Sequence, residues 1–167
     1  MKSHTISVLV ENRAGVLSRV AGMFSRRGFN IESLAVGTCE EPDMSRITIV
    51  VNGDGSVVEQ VMKQTNKLID VIKVSDLTER ESVERELALI KVAAEPGTSR
   101  AEILQIADIF RAQVVDVGAK TLVLQVAGDT EKIDALEKLL RQYGIKELVR
   151  TGKIAILRGA KTVKSSK

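Results

Sequence analysis

Few side chains in this sequence can run chemistry, so their placement decides what chemistry is open to it. There is one histidine, His4, and one cysteine, Cys39. A nucleophile or general base must be paired with an orienting group before it can act. His4 falls at the frayed start of the first apolar run, where a lone imidazole is incidental. Cys39 is followed by Glu40 and Glu41, an acidic flank that opposes the thiolate a nucleophile needs. No Cys/His spacing matches a zinc site. The carboxylates of "EEPD" (40–43) lie in a turn that reads as solvated. "NGDGS" (52–56) has neither the Lys-Ser/Thr of a phosphate loop nor the strand–helix glycine spacing of a dinucleotide loop. The chain reads as a protein that does no catalysis alone and binds no metal or cofactor itself.

What remains is "VENRAGVLSRVAGMFSRRGFNIESL" (10–34), which has an Asn near a Gly at each end of one helix-like run. The first turn of a helix leaves backbone N–H groups without partners and carries partial positive charge, so it receives carboxylates or phosphates. Gly15 lets an anion approach that backbone closely. Asn12 offers both a donor and an acceptor. Together they suit a zwitterion, with its carboxylate on the helix end and its ammonium on amide or carbonyl oxygens. Asn30 stands at the far end of the same helix. A helix of about a dozen residues is about 18 Å long, so one chain cannot bring Asn12 and Asn30 to the same small ligand. Across a two-fold dimer interface, Asn30 of one chain can meet Asn12 of the other. Val16, Leu17, Ile31 and Val36 then offer an apolar lining for a branched side chain. The alternative from spacing alone is ordinary turn chemistry, a capped turn at Asn12–Gly15 and a helix stop before Asn30.

The elements that must position these residues follow from periodicity. "TISVLV" alternates as a strand. Val16, Leu17, Val20, Ala21 and Phe24 recur at helical spacing, and "RRG" closes that helix with cations and a left-handed glycine. "FNIESLAVG" and "SRITIVV" read as strands, Val57 to Leu68 as a helix, and "DVIKVSDL" as a strand. After the charged run "TERESVERE" the order β-α-β-β-α-β recurs: "LALIKVAA", a helix opened by "PGTS", "AQVVDVG", "TLVLQVAG", a helix lined by Ile133, Leu136, Leu139 and Leu140, and "IKELVRTGKIAILRG" as one or two strands. The fold class is α+β, two consecutive ferredoxin-like units of roughly 75 residues, each an antiparallel sheet with both helices on one face. Residues 1–78 form the first unit, 79–159 the second, and 160–167 a disordered basic tail. Units this small bury little of their own surface. They call for pairing through sheet edges or faces, or for mutual cover between the two units.

Bulk composition excludes other classes. Residues 1–76 hold nine Lys/Arg against nine Asp/Glu, and residues 77–159 hold thirteen of each. The net charge of +3 therefore lies in the tail, at Lys161, Lys164 and Lys167, which does not make a nucleic-acid surface. Sheets of this topology read RNA with aromatics on their central strands. "RITIVV" and "TLVLQV" have none. One cysteine gives no disulfide framework and suits a reducing cytosol. The N-terminus carries no signal-like apolar run, and no window reaches the roughly 20 apolar residues of a membrane span.

"VLVENRAGVLSRVAGMFSRRGFNIESLAV" followed by "SRITIVV" resembles an ACT domain, the amino-acid-binding module of regulated biosynthetic enzymes. More narrowly, it resembles the small-subunit family of acetolactate synthase (acetohydroxyacid synthase). The likeness continues through "VERELALIKV", "FRAQVVDVG" and "GIKELVRTGKIAILRG", and so spans residues 2–159. The resemblance implies a cytoplasmic regulatory subunit, homodimeric through its ACT domains and non-catalytic alone. Its partner is a large catalytic subunit of transferase type, which carries thiamine diphosphate, magnesium and FAD and joins two 2-keto acids. The resemblance further implies activation of that subunit and feedback inhibition by valine bound between paired ACT domains. Asn12, Gly15, Val16 and Leu17 match one side of that site, and Asn30, Ile31 and Val36 the other. A different ACT-type sensor, with no catalytic partner of this class, is the alternative.

Overall fold

Strict alternation extends β1 over Lys2–Glu11, paired with β3 from Lys2↔Gly53 through Glu11↔Met44. The computed structural model describes residues 2–164. Ile6, Val8 and Val10 turn toward the helices, where they meet Val16, Val20 and Phe24 of α1 (Val16–Arg26) and Val58 and Val61 of α2 (Gly55–Asn66). β2 (Ile31–Thr38), β3 (Met44–Gly53) and β4 (Val71–Asp76) complete an antiparallel sheet in the order β2-β3-β1-β4. Phe24 and Phe29 meet edge to face, 6.1 Å between centroids, where α1 gives way to β2. The expected frayed start at His4 does not exist. His4 pairs with Val51 inside β1, only 8% of it is exposed, and neither ring nitrogen has a partner among the described residues.

The second unit repeats this plan. β5 (Ser82–Ala93), α3 (Thr98–Ile109), β6 (Gln113–Val117), β7 (Thr121–Gly128), α4 (Thr130–Leu140) and β8 (Ile145–Arg150) give the order β6-β7-β5-β8. Ala88, Ile90, Val92, Leu122, Leu124 and Val126 of the sheet pack on Ile103, Ile133, Leu136 and Leu140. The two units match down to their irregularities. β1 slips against β4 between Leu9 and Val10, and β5 against β8 between Lys91 and Val92. Both edge strands bulge as well, β2 between Ile31 and Ser33 and β6 between Val114 and Asp116. Such bulges re-aim strands at sheet edges, and their recurrence fixes which residues of the repeats correspond.

Two boundaries differ from the sequence reading. "SVERE" is not a lapse in periodicity, because its charges lie in the 12-residue strand β5. Among the described residues the compact units are 2–83 together with 153–164, and 84–152. Within the first unit, residues 153–164, including β9 (Ile154–Leu157), run across the sheet face that the helices leave open. There the Arg46 guanidinium donates to the Val163 carbonyl (3.1 Å), Lys73 Nζ to the Lys164 carbonyl (2.9 Å) and the Lys153 N–H to Ser33 Oγ (3.3 Å). Val163 is buried with Leu77, Ala155 and Leu157, so residues 160–164 are not the disordered tail expected of them. The rest of that tail, residues 165–167, lies outside the described residues.

Candidate functional site

The corner between β1 and α1 is built by backbone contacts that recur in both units. The Asn12 N–H donates to the Asp43 carbonyl (2.8 Å), and the Glu11 N–H to the Asp70 carbonyl (2.9 Å). Their counterparts are Ala94 N–H to Lys120 (2.8 Å) and Ala93 N–H to Gly144 (2.8 Å). Asn12 thus corresponds to Ala94, Gly15 to Gly97, Arg19 to Ala101 and Asp70 to Gly144. Both glycines take positive φ, +84° at Gly15 and +116° at Gly97, which lets the chain turn sharply from strand into helix.

Neither of these two helices has a side-chain cap, whereas Asp54 caps α2 and Asp129 caps α4. Asp54 accepts from the Ser56 hydroxyl (2.6 Å) and from the Ser56 and Val57 N–H groups (3.0 and 3.1 Å). The Ser56 hydroxyl, ahead of the backbone donors, holds its carboxyl below the usual aspartate value. At α1 no acid stands in the first turn, and among the described residues the Leu17 and Ser18 N–H groups meet no protein acceptor. A cation takes the place of a cap. Arg19 Nε donates to Asp70 Oδ2 at 2.7 Å, and Asp70 is itself 7% exposed. The Arg19 Nη1 lies 3.0 Å from where a Cβ on Gly15 would stand. Arg19 is half exposed, so its remaining N–H groups stay available beside the helix end. The corner therefore gathers backbone donors, the helix dipole and a positioned guanidinium, which together suit a carboxylate.

The structure brings part of the predicted set to this corner. Asn12 is exposed, and its amide has no partner among the described residues. Leu17 projects from the first turn of α1, 42% exposed. Val16 does not line a site, because its side chain is buried in the core against Val20 and the sheet. Val36 is exposed on β2, the strand at one edge of the sheet, opposite Ile47. Asn30 and Ile31 stand at the far end of α1. The Phe29 N–H donates to the Phe24 carbonyl (3.0 Å) there, and Gly28 has φ of +70°, a left-handed helix stop. Asn30 is exposed and Ile31 is half-buried against the core. Within one chain the helix keeps the two Asn residues apart. The sequence reading missed Arg19 and Asp70. Arg19 could have been found as the residue one helical turn beyond Gly15, but Asp70 is brought in by strand pairing and left no local signal.

A groove of about 490 Å³ lies elsewhere, between α2 and β4, walled by Met62, Ile72 and Val74. Glu59, Lys63, Asn66 and Lys73 complete its lining. Among the described residues no three His, Cys, Asp or Glu side chains gather as a metal site. No described helix is long and apolar enough to cross a membrane.

Two ferredoxin-like units, the first opening its helix on an uncapped glycine corner, define an ACT-type protein. Residues 6–73 match the family model described as the AHAS small subunit-like ACT domain, and residues 85–159 match that described as the small subunit of acetolactate synthase. A probable acetolactate synthase small subunit from Archaeoglobus fulgidus is 62% identical over 158 residues, covering 95% of this chain and 98% of the relative. An acetolactate synthase small subunit from Mycolicibacterium smegmatis is 50% identical over 165 residues, 99% of this chain and 96% of the relative. The crystal structure of the acetolactate synthase small subunit from Thermotoga maritima superposes with a TM-score of 0.87 at 40% identity, covering 96% of this chain and all of that one. The chain belongs to the acetolactate synthase small-subunit family.

Proposed function

We propose that this chain activates the thiamine-diphosphate-dependent catalytic subunit of acetolactate synthase and makes it sensitive to feedback inhibition by valine. The observation that carries this reading is the β1–α1 corner, where Arg19, fixed by buried Asp70, stands over Gly15 and an uncapped helix end. A valine carboxylate binds the Leu17 and Ser18 N–H groups and Arg19. Its ammonium binds the Asn12 amide oxygen. Leu17 and Val36, with Asn30 and Ile31 of a second copy, close around the side chain. Thiamine diphosphate, magnesium and FAD belong to the catalytic partner, and this chain supplies no reacting group. The setting is cytoplasmic.

Inhibition is then linkage. Valine inhibits only by binding more tightly to the less active state of the holoenzyme. Couplings of this kind are about 1–3 kcal/mol, and burying a Val side chain contributes about 1.5–3 kcal/mol. Asn12→Ala and Asn30→Ala relieve valine inhibition while activation is retained. Gly15→Asp is more severe, because it sets a carboxylate where the ligand's belongs and strains a left-handed backbone. Holoenzyme assays across a valine titration test this, and unchanged inhibition in both Asn variants would remove these residues from the site. A sensor for another amino acid, with no catalytic partner of this class, is distinguished by calorimetry with the twenty amino acids and by co-purification.

A further inference from the structure

The groove between α2 and β4 is walled by Met62, Ile72 and Val74, and the same place in the second unit has opposite chemistry. The register of the repeats puts Glu137 where Met62 stands and Lys146 where Ile72 stands. There the chain fills the place with its own charges. Arg141 and Arg150 both pair with Glu137, at 2.5 and 3.8 Å, and Arg150 also pairs with Asp134. On the first groove the one ion pair among the described residues is Glu59–Lys63. The turns that join helix to edge strand differ likewise. Tyr143 is tied to Glu102 (2.9 Å), whereas Ile69 in its place is 92% exposed.

β4 is also an unfinished edge, the last strand of its sheet. The Leu77 N–H donates to the Thr5 carbonyl (2.9 Å). By alternation Ser75 and Lys73 turn their backbone groups toward β1, and Val74 turns its N–H and carbonyl outward. Among the described residues those two groups meet no protein partner. Ile72 is the residue that the slip between β1 and β4 leaves unpaired. Edges are normally blunted by charge. β8 has Lys146 at this point, and β4 has an isoleucine.

We propose that this groove receives an extended, acidic segment of the catalytic subunit, laid along the β4 edge with an apolar side chain between Met62 and Ile72. The proposal rests on the reading that such a subunit is the partner. Charge selects the occupant. Glu59 and Lys63 form an exposed pair, which holds its members weakly. Lys73 Nζ donates to the Lys164 carbonyl (2.9 Å), a neutral acceptor, and meets no carboxylate among the described residues. Lys67 follows at the end of α2. The acids at the two ends of β4 are engaged, Asp70 by Arg19 and Asp76 by the Thr78 N–H and hydroxyl. Cations thus stand on both walls of an apolar floor. Carboxylates on either side of an apolar residue complement them. Strand addition at an edge draws affinity from main-chain bonds, here to Val74, and specificity from pockets for the side chains.

The test uses the full chain with the co-expressed catalytic subunit. In a Cys39→Ser background, Asn66→Cys carries a benzophenone maleimide at the exposed end of the groove. Photolysis of the complex is expected to attach it to an acidic segment of the catalytic subunit, located by mass spectrometry. Ile72→Asp is expected to weaken association about tenfold or more, because it buries a carboxylate. Lys63→Glu is expected to weaken it about threefold, and Lys138→Glu, at the matching place in the second unit, to change nothing. An adduct only to a second copy of this chain, or no adduct to the catalytic subunit, overturns the proposal. So does unchanged association in a folded Ile72→Asp chain. If the unsubstituted chain does not bind the catalytic subunit, the partner reading falls and takes this one with it. If it binds and the groove variants bind equally, the partner reading stands and this surface is wrong.

Discussion

The two units share one backbone plan and differ in the side chains set on it. Their bulges, their corner hydrogen bonds and their left-handed glycines coincide. Those features belong to the fold. At the corner, however, Asn12 becomes Ala94, Arg19 becomes Ala101 and Asp70 becomes Gly144. In place of a cation waiting at the helix end, the second unit has Arg100, whose guanidinium is spent on the carbonyls of Ala94, Gly118 and Ala119 at 2.8–3.1 Å. The same corner is open to a ligand in one repeat and tied shut by its own chain in the other. The helix end lacks a side-chain cap in both units, so the polar side chains around it are what set the two corners apart.

The repeats also differ beneath the helices. Glu86 of the second unit occupies the place of His4 in the first, and Arg150 that of Asp76. Glu86 is buried and paired with Arg150 Nε at 2.5 Å, and Arg150 reaches Asp134 at 2.6 Å. Burial works to lower the pKa of Arg150, but the bonds to Glu86 and Asp134 outweigh it, so the guanidinium is held above its usual value. Arg150→Met leaves Glu86 as an uncompensated buried charge and should cost about 3–5 kcal/mol, read as a fall in the urea midpoint. Replacing both residues together, Glu86→Leu with Arg150→Met, should recover most of it.

A second contrast lies at the corners. Arg19→Met and Asp70→Asn should each weaken valine inhibition about tenfold, or about 1.4 kcal/mol. Glu95→Gln, in the matching loop of the second unit, should leave the inhibition constant unchanged. Third comes His4, a buried imidazole whose two nitrogens have no partner among the described residues. An apolar side chain of similar volume removes that unmet demand, so His4→Leu should stabilise the chain by about 1 kcal/mol, whereas an apolar residue at Glu86 alone destabilises.

The smallest effect concerns Asp54. Its carboxyl is held below its unfolded value, chiefly by the Ser56 hydroxyl. Its contribution is therefore complete above the unfolded aspartate pKa of about 3.9 and is lost as pH falls through the lowered folded value. Asp54→Ser keeps a capping oxygen without the charge, and should flatten that part of the acid limb in thermal melts between pH 5 and pH 3.

How much of this was legible in the sequence depended on whether the signal was local. β-branched alternation and the helical spacing of Val16, Val20 and Phe24 carried the fold class and both repeats. The glycine of "ENRAG" and the exposed amides carried the corner. Val16 was misplaced because one helical residue can face either the core or the ligand, and spacing does not say which. Asp70 and the course of 153–164 were illegible because they depend on contacts between distant parts of the chain. The cover over the hydroxyls of Ser7 and Thr48 left no signal either, since polar residues alternating with Ile and Val look alike whether water or another segment covers them.

If valine binds as proposed, the β1–α1 corner of the first unit receives it and the matching corner of the second unit does not. Amide-resolved NMR of the full chain titrated with valine tests it most directly. Saturable shifts are expected at Leu17, Ser18, the Asn12 side-chain amide and the Arg19 Nε–H, with Thr98, Ser99 and Arg100 unmoved. Equal shifts at both helix ends, or none at Leu17 and Ser18 under saturating valine, would contradict it.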